Sequence, residues 1–89
     1  MKNIVDALNL GPKSGEWLRQ VGIEDLDSLK QKGAINAYLA VEALGIKPSL
    51  NLLYALEGAI TDTHWQTVKV RYKTDLILAL DAAKMKVSE

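Results

Sequence analysis

LNLGPKSGEWL, residues 8–18, is the stretch on which the fold turns. An apolar pair surrounds an Asn, a Gly-Pro step comes next, and an amphipathic segment starts at once. Pro12 suits the first position of a helix, where its missing N–H costs nothing. Trp17, Leu18 and Val21 then form an apolar stripe that Gly22 closes, as a glycine just past a helix commonly does. Gly11-Pro12-Lys13-Ser14-Gly15 is therefore either a loop that holds a phosphate on backbone amides or the corner of a small helical domain. In the second case Gly11 supplies an unusual backbone angle and Gly15 permits close helix packing.

The same helical period continues on both sides. Upstream, Ile4, Val5 and Leu8 share one face of a short helix over residues 2–9. Downstream, Ile23 begins the next element, with Asp25 and Asp27 in its first turn, where carboxylates suit the positive end of the helix dipole. Leu26 and Leu29 face inward, Lys30 and Lys32 take the cationic end, and Gly33 stops the helix. AINAYLAVEAL, residues 34–44, places Ile35, Tyr38 and Leu39 on neighbouring turns and is closed by Gly45. Lys47-Pro48-Ser49 breaks the chain, with Ser49 placed to cap the next helix.

LNLLYALEGAI, residues 50–60 with Tyr54 near its centre, is apolar on most of its circumference. Such a helix belongs in the middle of a bundle. Gly58 inside it costs about 1 kcal/mol against Ala, so a close backbone contact is its expected reason. Thr61-Asp62-Thr63 is turn chemistry. A last helix occupies most of residues 66–85, with Leu76, Ile77 and Leu80 as its core stripe. Thr67 to Tyr72 alternates apolar and polar residues and is the nearest approach to a strand. The expectation is an all-α fold, a compact bundle of five or six short helices. It makes a single domain over residues 1–89, with a core from about 8 to 81.

Bulk properties narrow the function. At 89 residues, 48% hydrophobic and 25% charged, the chain is an ordinary globular domain. A core of that size is modest, so a partner surface matters to it. Eleven basic residues balance eleven acidic ones, which removes the usual electrostatic footprint of a nucleic-acid binder. Without cysteine there is no disulfide, thiol chemistry or Cys-based metal site. The N-terminal apolar run is too short for a signal peptide, and nothing approaches the roughly 18 apolar residues of a membrane span. A cytoplasmic protein with no membrane association is expected.

The opening segment has the shape of a helix-hairpin-helix element, in which a short apolar helix leads through a Gly-hydrophobic-Gly hairpin into a second helix. Asn9 stands where the first glycine of that motif is expected, and Asn is the residue other than glycine that best tolerates a left-handed backbone. Gly22-Ile23-Glu24-Asp25-Leu26-Asp27-Ser28-Leu29 resembles the link to the next helix in such domains. Four segments stand in order along the chain: LGPKSGEWLRQVGI, LKQKGAINAYLAV, LNLLYALEGAI, and His64-Trp65 before a long final helix. Together, from about Leu8 to about Asp81, they resemble the C-terminal domain of the TfoX/Sxy competence-regulator family. The resemblance implies a bacterial protein associated with the regulation of natural DNA uptake, and no established reaction. Many members carry a different N-terminal domain that these residues do not include, so a stand-alone domain is expected.

The candidate sites each have two readings. Gly11, Lys13, Ser14 and Gly15 are the candidate phosphate or DNA contacts, through amides that would hold a backbone without reading sequence. Between residues 8 and 33, however, Lys13, Arg19, Lys30 and Lys32 are cancelled by Glu16, Glu24, Asp25 and Asp27, which favours the architectural reading. Lys69, Arg71 and Lys73, with Lys84 and Lys86, outnumber Asp75 and Asp81 and form the other candidate basic patch. A basic helix face is more often simply solvated. Trp17 and Trp65 could stack bases or anchor a partner, but each falls beside an apolar stripe and reads better as core or rim.

Glu42 and Glu57 sit in the most apolar helices, where a buried carboxylate must find a donor. A polar tie within the bundle fits better than an acid–base pair. With them, Trp17, Tyr38, Tyr54, Gly58 and Trp65 complete the expected core or polar ties. His64 lacks the partners that a general base or metal ligand needs, so capping or packing is expected. No nucleotide loop, Walker lysine, nucleophile elbow or metal-ligand spacing is present. The sequence thus reads as a non-enzymatic regulatory or protein-interaction module without cofactor or metal, acting on a protein partner or as a homodimer. The alternative is weak, sequence-independent DNA binding through residues 11–15.

Overall fold

A computed structural model describes residues 10–87, which form five helices. These are α1 (Pro12–Gln20), α2 (Leu26–Lys32), α3 (Ala34–Glu42), α4 (Leu50–Thr61) and α5 (Trp65–Val87). The helix read over residues 2–9, and Asn9 in the hairpin, lie outside the described residues. Among the described residues there is no strand, and Thr67 to Tyr72 is helical.

Local chemistry sets most of the boundaries. Pro12 opens α1, and Gly22 takes φ +86° in the turn after it. Ile23 is not the start of the next helix. Its amide bonds the Leu18 carbonyl at 2.9 Å, and its side chain is buried in the connection. Asp25 moves correspondingly from the first turn to the N-cap of α2, where its carboxylate accepts the Ser28 amide at 2.8 Å. Gly33, at φ +86°, ends α2 and begins α3 with no intervening loop. Ser49 occupies the N-cap of α4 without a side-chain cap bond. Asp62 ends α4 in the left-handed region at φ 55°, and the Thr63 amide reaches back to the Gly58 carbonyl at 2.8 Å.

α4 is the centre of the bundle. It packs against α2, α3 and α5, and it buries Leu52, Leu53, Tyr54, Ala55, Leu56, Gly58 and Ala59. Leu18, Leu29, Val41 and Val68 from the other helices join the same core, all fully buried. Each such side chain contributes about 1.5–3 kcal/mol relative to exposure. The radius of gyration, 12.1 Å, is what a folded chain of this length should have. α5 is about 34 Å long at 1.5 Å per residue, close to the 36 Å longest extent of the domain. Among the described residues, α5 packs chiefly on α4 and less on α3.

Candidate functional site

At the start of α1, Gly11 is the N-cap in extended backbone, with φ −101° and ψ −177°. The unusual angle expected of it is therefore absent, because extended backbone feeds directly into Pro12. A Cβ on Gly11 would meet nothing within 4 Å, so packing does not demand glycine there either. Gly11 has no side chain to cap the helix, and Pro12 has no N–H. The amides of Lys13 and Ser14, at this helix start, receive no side-chain cap. Gly15 is buried, and its amide bonds the Gly11 carbonyl at 2.9 Å. The Lys13 ammonium lies over the Trp17 ring, 5.4 Å from its centroid, while Trp17 packs partly buried against the core. Arg19 pairs with Glu16 at 3.3 Å on the exposed side of the same helix. α1 packs chiefly on α3.

On α5, Lys69, Arg71 and Lys73 are all exposed, but they do not form one patch. At about 100° per residue, Lys69 and Lys73 share a face while Arg71 lies roughly opposite. Lys84 turns back to Glu42, with Nζ 3.4 Å from Oε2, and ties α5 to α3. His64 caps α5: its Nδ1 accepts the Gln66 amide at 3.2 Å, and its ring stacks near Trp65. Trp65 is partly buried against the core.

Inside the bundle, Tyr38 and Tyr54 are buried. The Tyr38 hydroxyl donates to the Pro48 carbonyl at 2.9 Å and pins the α3–α4 connection. Burial first, and then the nearby Glu42 charge, raise the Tyr38 phenol above its ordinary pKa, while Lys84 acts in the opposite direction. Glu57 is the one charged residue of α4 and is partly buried. Its carboxylate has no hydrogen-bond or ion-pair partner among the described residues.

The sequence reading overlooks a set of residues on the far side of α5. Val68, Leu76 and Leu80 are buried against the bundle, yet Val70, Leu78 and Met85 are 83%, 62% and 71% exposed. Spaced by eight and seven, these three fall within about 80° of one another on the outer surface. That spacing is readable in the sequence, where the stripe Leu76, Ile77, Leu80 hides it. α5 therefore carries apolar side chains on two sides, the outer three interspersed with exposed Thr74 and Asp81. Among the described residues, the inner side is the one packed on other helices.

Among the described residues, no group of three His, Cys, Asp or Glu side chains could hold a metal ion. Nor is any described helix long and apolar enough to cross a membrane. Three surface features stand out among the described residues: an uncapped helix start, a split basic helix and exposed apolar side chains on α5.

Comparison with curated proteins returned no match. Among solved structures, the crystal structure of an uncharacterized protein from Listeria monocytogenes is similar, with a TM-score of 0.81 at 26% sequence identity. The match covers 92% of this chain and 93% of that one. The family model described as the TfoX C-terminal domain matches residues 1–80, nearly the whole chain. Fold, segment order and family model agree, and the chain belongs to the TfoX C-terminal domain family.

Proposed function

We infer that this domain is a non-enzymatic docking module that binds another protein, or a second copy of itself, through the outer face of α5. The exposure of Val70, Leu78 and Met85 carries the reading. Apolar side chains aligned on one helix face are a costly thing to leave in water in a domain whose core is this small. Seating them in a partner's groove is the helix-in-groove mode of recognition. The reading includes a regulatory setting in the bacterial cytoplasm, and membership of the TfoX C-terminal domain family supports it. The test is recovery of a bound protein by the wild-type domain and by a Val70→Glu/Leu78→Glu double variant. Recovery that the variant abolishes supports the reading. Recovery that the variant leaves intact contradicts it.

One observation favours a second reading. The uncapped amides of Lys13 and Ser14 at a helix start suit a phosphate, and weak DNA binding through residues 11–15 is the consequence. The net charge of zero and the engagement of Lys13 with Trp17 place this second. A mobility shift of duplex DNA that fades with salt and with Lys13→Glu would reverse the order.

A further inference from the structure

Between the C-terminal end of α4 and the middle of α5 lies a cavity of ≈ 300 Å³ lined by Glu57, Thr61, Thr63 and Tyr72. It is at the small end of the range in which proteins hold ligands, about 300–1,000 Å³. Among the described residues, its walls offer mainly acceptors and one aromatic ring. The Glu57 carboxylate only accepts hydrogen bonds, and no described residue satisfies it. The Thr61 hydroxyl donates to the Glu57 carbonyl at 2.9 Å, and the Thr63 hydroxyl donates to the Thr61 carbonyl at 3.2 Å. With its proton committed to the main chain, the Thr61 oxygen presents lone pairs. The end of α4 adds the negative pole of its dipole, and Asp62 is its C-cap. Tyr72, 46% exposed, supplies an aromatic ring.

Acceptors, negative potential and a π face together select a cation rich in donors. A bare metal ion is a poor match, since a hard divalent cation asks for about six or more oxygens around it. A guanidinium or alkylammonium needs a few acceptors and gains from an aromatic ring. Among the described residues, Lys69, Arg71 and Lys73 are absent from its lining and from any ion pair with Glu57.

We propose that this cavity receives an arginine or lysine side chain from a protein segment docked on the domain. The proposal rests on the docking reading but uses a different surface. Tyr72 lies about 200° around α5 from Val70, so the cavity and the apolar face open on different sides of the helix.

The test uses the full chain, isotope-labelled, and amide NMR shifts. An acetyl-Gly-Arg-Gly-amide peptide is titrated beside its citrulline counterpart, which keeps the shape and removes the charge. Saturating shifts at Thr61, Thr63 and Tyr72 with arginine and none with citrulline are expected. Glu57→Gln should weaken binding at least about tenfold, and Tyr72→Leu should weaken it with Glu57 still in place. The amide spectrum of each variant shows whether the fold is retained. Equal binding of citrulline, shifts confined to other residues, or no shift at millimolar peptide would overturn the proposal. Free ethylguanidinium binding more tightly than the peptide would overturn its assignment to a protein segment. None of these results bears on Val70 and Leu78, so the docking reading stands or falls separately.

Discussion

The ammonium of Lys13 sits 5.4 Å from the centroid of the Trp17 ring, one turn further along α1. The lysine best placed to meet a phosphate at residues 11–15 is thus already held by an aromatic face. An exposed pair of this kind is worth about 0.5–1 kcal/mol. Lys13→Met keeps the aliphatic stem and removes the charge, so chemical denaturation should show a loss of that size. At about 0.15 M salt, where charges are screened beyond roughly 8 Å, the wild type should not shift duplex DNA. A shift that persists there and disappears with Lys13→Glu would make residues 11–15 the main binding surface.

Asp25 makes stability depend on acid. The amide of Ser28, and then its hydroxyl, hold the Asp25 carboxyl below its ordinary pKa of 3.8. A folded-state pKa below the unfolded one means that the stabilisation is present above the unfolded value. It is lost as pH falls through the folded value. Asp25→Ala should therefore lower the melting temperature by a few degrees at pH 7, and the gap should narrow below about pH 4. A gap unchanged between neutral and strongly acid pH would show that the cap does not act through its charge.

Tyr38 offers the opposite sign. Its hydroxyl satisfies the Pro48 carbonyl, and Tyr38→Phe leaves that carbonyl without its donor at a cost of about 0.5–1.5 kcal/mol. Because burial raises the phenol pKa, the neutral form is the one the fold stabilises. Its contribution is complete below the ordinary value near 10 and is lost as pH rises through the higher folded value. Ultraviolet titration should show a late tyrosinate step that is missing from Tyr38→Phe. If the step missing from Tyr38→Phe fell at the ordinary value, the burial described would be contradicted.

These cases show which parts of the molecule can be read from its sequence. Pro12, Gly22, Gly33 and Pro48 act on the backbone beside them, so they mark helix ends wherever the chain folds. α4 is legible because an apolar circumference has one destination. The shift of Asp25 from first turn to cap is harder to see, since Ile23 is apolar and reads as helix when it is buried connection. The outer face of α5 and the cavity at Glu57 depend on which helix covers which. Periodicity tells which residues share a face, not whether that face finds a neighbour. Val70, Leu78 and Met85 are distinguished from Leu76 and Leu80 only by the position of α4.

Docking through α5 is tested most directly at Leu78. A benzophenone amino acid in place of Leu78, in cells that carry the full chain, reports what touches that face on illumination. The same residue in place of Gln31, exposed on α2, serves as the control. A light-dependent protein adduct at position 78 and none at 31 is the predicted result, its mass separating a second copy from another partner. No protein adduct at position 78, or equal adducts at both positions, would contradict docking through this face.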